Sequence, residues 1–107
     1  TVPGLITQNM PRLKQKLEEW GIDEVVICSS INKIGYLMSP SIQAYTDAIE
    51  KNDPQKYQLM AMCTLASGAI KATEAYNFIN SLNIQSVVFG ASSEKNIKET
   101  VSLIQKQ

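Results

Sequence analysis

Ser86-Val87-Val88-Phe89-Gly90-Ala91-Ser92-Ser93-Glu94-Lys95-Asn96-Ile97 is a short apolar run that ends in Gly, crosses two hydroxyl residues and opens into a helical pattern. A strand–turn–helix of this kind aims several unpaired backbone N–H groups beyond the strand end, which makes it an anion site, most often for phosphate. Gly90 permits close backbone approach there, and Ser92 or Ser93 either caps the helix or donates to a phosphate. Lys95 lies one turn in, where it adds positive charge.

Three similar units precede this one. Thr1–Thr7 reads as a short strand broken by Pro3-Gly4, and leads to a helix through Arg12–Trp20 in which Leu13, Leu17 and Trp20 recur at helical spacing. Pro11 suits the first turn, Gly21 stops the helix, and Trp20 is expected to pack against the outside of the sheet. Glu24–Ile31 contains Val25-Val26-Ile27-Cys28, a continuous apolar run typical of a strand covered on both faces. The loop 32–39 then leads to a helix opened by Pro40, with Ile42, Tyr45 and Ile49 on its apolar face. Tyr57–Leu65 reads as the third strand, and the loop 66–69 leads to a helix over Lys71–Leu82. Ile84–Phe89 is the fourth strand, and Ile97, Val101 and Ile104 mark the last helix.

Four consecutive βα units with short joints demand right-handed crossovers and a parallel sheet, giving an α/β fold in a single domain over residues 1–107. Two architectures accommodate the pattern: an open doubly wound sheet of the flavodoxin type, and half of a TIM (βα)8 barrel. Four strands in sequential order with every helix on one side leave the other sheet face bare. A half-barrel therefore needs a companion half or a second copy of itself, as a homodimer.

Composition narrows the function. Ten basic residues balance ten acidic ones, so the basic stripe that nucleic acid requires is missing. No apolar run approaches the ~20 residues that span a bilayer, and no signal-peptide pattern opens the chain, so a membrane partner is not expected and the cytoplasm is the default location. The chain contains no His, which excludes a Ser-His-Asp triad, a His general base and the usual zinc sites; no metal is expected. Cys28 and Cys63 both fall in apolar runs and read as small buried hydrophobes.

Further candidates stand at strand ends, where barrels keep their chemistry. Thr7 and Asn9 follow the first strand; Asn32 and Lys33 follow the second. Lys33 is either a solvated loop lysine or a group that binds a carbonyl or phosphate, and Asn32 either supports a turn or meets a ligand. Gly35-Tyr36-Leu37-Met38 is an apolar loop that either covers a ligand or packs over the barrel mouth.

Thr64-Leu65-Ala66-Ser67-Gly68 resembles the strand-seven turn of aldo-keto reductases, and Gly90-Ala91-Ser92-Ser93 with Ile97 and Glu99 resembles their strand-eight loop and following helix. The runs Asn32-Lys33-Ile34-Gly35 and Val88–Ser93 are similar to those of a divergent group within that family. The resemblance implies that the chain spans strand five to helix eight of such a barrel and begins within a longer protein. It implies a nicotinamide cofactor, NADP or NAD, with Leu65, Ala66, Ser67 and Gly68 along the pyrophosphate and Gly90, Ala91, Ser92, Ser93 and Lys95 on the adenosine phosphate side. The family's Asp, Tyr, Lys and His catalytic set lies in the other half, so no catalytic residue is expected here and the chain alone is expected to be inactive. The chain departs from the family in lacking a fixed cation beside Ser92 and in carrying Thr100 where Asn is common, which leaves NADP against NAD open. The alternative is a non-catalytic βα module that associates with itself.

Overall fold

A computed structural model describes residues 1–104 and consists of four parallel strands alternating with four helices. In order they are β1 (Gly4–Thr7), α1 (Met10–Glu19), β2 (Val25–Ser30), α2 (Ile42–Glu50), β3 (Tyr57–Met62), α3 (Ala72–Asn80), β4 (Ser86–Val87) and α4 (Glu94–Ile104). The strands lie side by side in the order β1-β2-β3-β4. A doubly wound sheet reverses its strand order at a switch point, and this sheet has no reversal, so the flavodoxin-type alternative falls. The three crossovers, right-handed by the general rule, place α1, α2 and α3 over one face, and α4 packs against α3.

Alternation along the central strands confirms that face. Val25, Ile27, Tyr57, Leu59 and Ala61 are buried at every second position and pack with Leu17 of α1, Tyr45 and Ile49 of α2, and Tyr76 and Ile79 of α3. The intervening positions are only partly covered at Val26, Cys28, Met60 and Met62, and Ile6 on β1 is 75% exposed. The strands are therefore clad on one side, contrary to the two-sided cover that the apolar run Val25–Cys28 suggests.

Local chemistry sets the ends of the elements. Asn9 caps α1 by accepting from Arg12 N at 3.1 Å, with Pro11 in the first turn, and Ser41 caps α2 by accepting from Ala44 N at 3.1 Å. Gly21 ends α1 in the left-handed conformation, φ +68°. Trp20, expected against the sheet, is instead 64% exposed. The buried stripe of α1 is Met10, Lys14 and Leu17, because Lys14 lays its aliphatic stem into the core and turns the helix away from Trp20.

The fourth strand is shorter than the apolar run Ile84–Phe89. Gln85 N donates to Leu59 O at 3.0 Å, while its side-chain Oε1 accepts from Leu59 N at 2.8 Å and so replaces a ladder bond. The third strand stops at Met62, because Cys63 takes a left-handed φ of +53° that no ladder accommodates. Cys63 is also exposed, which corrects its reading as a buried hydrophobe; Cys28 is half-buried, and both thiols are free. No helix among the described residues is long and apolar enough to cross a membrane.

Candidate functional site

The carboxyl ends of the four strands form one rim, and the loops that leave it hold the candidate residues. At β1, Thr7 Oγ1 accepts from Asn9 N at 3.0 Å, and Thr7 O accepts from Ser29 Oγ at 2.7 Å. With Asn9 committed to the α1 cap, both residues serve the turn into the helix.

Asn32 is fully buried and is the tie of the rim. Its Nδ2 donates to Tyr36 O at 2.8 Å and to Cys63 O at 3.2 Å, and its Oδ1 accepts from Tyr36 N at 2.8 Å. One side chain thus folds the β2–α2 loop and fastens it to the end of β3, so the turn-supporting role is the one the structure displays. Lys33 points to α3 instead, where it pairs with Glu74 and holds that carboxyl below the usual range. Both groups are about half exposed, and the pair is a surface one.

The β3–α3 turn is conformationally unusual. Cys63, Ala66 and Ser67 have φ of +53°, +50° and +59°, and Gly68 follows at +87°. Left-handed backbone costs an L residue roughly 1 kcal/mol, so the turn is held by other bonds. Ala66 N donates to Cys63 O at 3.0 Å, Gly68 N and Ile70 N both donate to Leu65 O at 3.1 Å, and Thr64 Oγ1 lies 2.8 Å from Tyr76 OH in the core. Such strain concentrates at functional turns. Ala66 is buried in a small cluster with Ile70 and Ala75, and Leu65 packs against it.

Between this turn, the β2–α2 loop and the end of β4 lies an open groove of about 520 Å³. Ser67, Cys63 and Met62 form one wall, Val88, Phe89 and Gly90 the other, and Tyr36 and Leu37 close the end. The groove brings together Ser67 and Gly90 from the two loops singled out by sequence, along with the apolar loop around Tyr36. Leu65, Ala66, Gly68, Ala91, Ser92, Ser93 and Lys95 lie outside its walls. Its chemistry is aromatic and apolar, with the Cys63 thiol, the hydroxyls of Ser67 and Tyr36 and the backbone of Gly90 as polar groups and no charged side chain. That lining suits a flat, largely apolar ring with a few hydrogen-bonding groups.

The start of α4 is less suited to an anion than the sequence suggests. Ser93 Oγ accepts from Asn96 N at 3.2 Å, so this hydroxyl acts as the helix cap. Glu94 then occupies the first turn and pairs with Lys98 at 2.8 Å, placing a carboxylate at the positive end of the helix. A Cβ at Gly90 would meet nothing within 4 Å, so the groove wall is open there and glycine is not sterically required. Ser92 and Lys95 are exposed.

Sequence reasoning passes over two features. Cys63 is placed in the groove by its left-handed turn, and an apolar run gives no sign of that. Ser30 Oγ, at the end of β2, is buried without a hydrogen-bond partner, whereas neighbouring Ser29 is fully bonded. Burial pushes the Cys28 thiol up, and Cys63 adds a smaller effect in the same direction, so Cys28 stays a neutral thiol at neutral pH. Among the described residues no three His, Cys, Asp or Glu side chains come together as a metal site.

No family model, no curated protein and no solved structure matches this chain.

Proposed function

We propose that this chain is the C-terminal half of an aldo-keto-reductase-like (βα)8 barrel and supplies part of its nicotinamide dinucleotide site. The observation that carries the proposal is the convergence of Ser67 and Gly90, from the turns after β3 and β4, on one groove of the carboxyl rim. Enzymes built on parallel barrels bind at that rim. The resemblance marks the same two turns as cofactor contacts. The aromatic lining favours the nicotinamide ring for the groove itself, with Gly68, Ala91, Ser92, Ser93 and Lys95 outside it toward the phosphates. The acidic first turn of α4 disfavours an extra phosphate there, which makes NAD the better fit of the two cofactors. A reducing cytoplasm matches two free thiols and a nicotinamide cofactor.

The groove walls hold no carboxylate, lysine or imidazole to move a proton, and Lys33 is engaged by Glu74. The chain's share is binding and orientation; the groups that complete carbonyl reduction belong to the companion half. The same lack of acid–base groups supports a second reading, a non-catalytic βα module.

Titration of NADH and NADPH followed by nicotinamide fluorescence tests the proposal. Binding is expected, tighter for NADH, and Gly90→Val should weaken it about tenfold by narrowing the groove. The open space at Gly90 means that this variant keeps its fold. Absence of binding by either nucleotide at about 1 mM, a level at which even weak sites fill, would leave the module reading standing.

A further inference from the structure

On the face of the sheet away from the helices, β2 and β3 carry a square of side chains. Cys28 is level with Met60, and Ser30 is level with Met62. Residues two apart on a strand point to the same side, so the four stand together. Level partners are ~5 Å apart and successive ones along a strand ~7 Å apart. Two metal–sulfur bonds of about 2.3 Å each span the shorter distance, and the rotatable bonds of methionine bridge the longer one. Cys28, Met60 and Met62 are each half-buried. Ser30 is 1% exposed, and its Oγ has no hydrogen-bond partner. Leaving such a group unpaired costs free energy that a bound partner offsets.

We infer that this square binds a soft monovalent cation of the Cu(I) class, held by the Cys28 thiolate and the Met60 and Met62 thioethers, with the Ser30 hydroxyl donating to the thiolate. Thiolate and thioether donors select such ions, whereas harder divalent ions seek oxygen and imidazole. The expectation of no metal rests on the lack of His, which removes the usual zinc sites and has no bearing on thioethers. As the ion binds, the Cys28 S–H bond breaks, its proton passes to solvent and a sulfur–metal bond forms, with no change of oxidation state. One thiolate against one positive charge leaves the site neutral, which suits two strands that contain no charged residue. The thiolate is a stronger acceptor than the thiol it replaces, and Ser30, one step along the same side of β2, has its O–H free for it. Cys63 follows Met62 but turns into the groove on its left-handed φ, so it stands outside the donor set. The site needs neither a nucleotide nor a companion half.

Anaerobic titration of the whole chain with Cu(I), in competition with a chromogenic Cu(I) chelator, tests this. A single ion per chain is expected, with one proton released and no displacement by an equal concentration of Zn(II). The ion should protect Cys28 from alkylation while Cys63 stays reactive, and Cys63→Ser should bind Cu(I) as tightly as the unaltered chain. Met60→Leu combined with Met62→Leu conserves volume; it should keep the circular dichroism and weaken Cu(I) binding at least about tenfold. Ser30→Ala should weaken it several-fold with no loss of stability in the metal-free chain, and Ser30→Thr, which restores a hydroxyl, should recover it. Binding that survives both leucines or vanishes with Cys63 would overturn the site. So would Zn(II) bound more tightly than Cu(I), or an ion shared between two chains. Cu(I) affinity equal in Ser30→Ala and the unaltered chain would overturn the role of the Ser30 hydroxyl.

Discussion

The Ser29 hydroxyl lies 2.8 Å from the Tyr45 hydroxyl, and the two join β1, β2, α1 and α2 in one buried chain of bonds. Ser29 donates its single proton to Thr7 O at 2.7 Å, so Tyr45 must donate to Ser29. Tyr45 in turn accepts from Met10 N at 3.2 Å, which satisfies an otherwise open donor at the start of α1. Ser30, next in sequence and pointing the other way, is equally buried and has no partner for its Oγ. Ser29→Ala should therefore destabilise the fold by about 1–3 kcal/mol, because it strands buried polar groups. Ser30→Ala should be neutral or slightly stabilising. Urea unfolding of both variants checks the order, and a Ser30 change costlier than the Ser29 change would refute it.

Lys14 is buried between α1 and α2, with Nζ donating to Ala48 O at 3.2 Å and standing 5.9 Å from the Tyr57 ring centre. Burial pulls its pKa below the ordinary 10.5, against a smaller opposing pull from Glu18. The unfolded chain thus holds this proton more tightly than the fold does. As pH rises from the lowered value toward 10.5, the fold sheds its proton first and the burden of a buried charge disappears, so stability rises. Cys28 and Tyr57 act with the opposite sign, since burial raises both and the unfolded chain ionises first above their ordinary values of 9.0 and 10.0. Both chains keep Cys28 and Tyr57, so comparing the chain with Lys14→Met at each pH up to 10.5 isolates the Lys14 contribution. The stability of the unaltered chain is expected to climb relative to the variant with pH; parallel curves would show that Lys14 does not titrate in this way.

Gly35 has φ +83°, and a Cβ built on it would come within 2.9 Å of Ile42 Cγ1. It sits in the loop that Asn32 folds and that carries Tyr36 and Leu37 to the groove. Gly35→Ala combines a disfavoured backbone with a contact that Ile42 must yield to. A loss of about 1–3 kcal/mol is expected, with increased protease cleavage between residues 32 and 41. Cleavage unchanged from the unaltered chain would mean that the loop is not pinned at this point.

Element order and the parallel sheet are legible in the sequence because each strand is a short apolar run and each helix repeats at 3.6 residues. What periodicity could not show is how far each element runs or turns. Gln85 imitates backbone with a side chain and shortens β4, and Lys14 occupies a core position by hiding its stem, which leaves Trp20 outside. The groove is half legible. Ser67 and Gly90 carry the signature of a turn after a strand, but Cys63 enters through a left-handed φ that an apolar run gives no warning of. The Ser93 cap is one of two roles the sequence leaves open, and the Glu94–Lys98 pair at the same helix start emerges only from the structure.

Ser67 separates stability from binding, because its strained backbone and its side chain have different uses. Its φ of +59° is natural for glycine and costly for serine, and the bonds that secure the turn run between backbone groups and through Thr64. Ser67→Gly should raise stability by about 0.5–1 kcal/mol. If the groove takes a nicotinamide ring, the same variant should bind NADH several-fold more weakly, since a hydroxyl on the wall is gone and the turn is looser. A turn that serves folding alone would show the first effect without the second. Urea unfolding and nicotinamide fluorescence on the one variant read the two effects apart, and a fall in stability would show that the strain at this residue is not what the backbone angle implies.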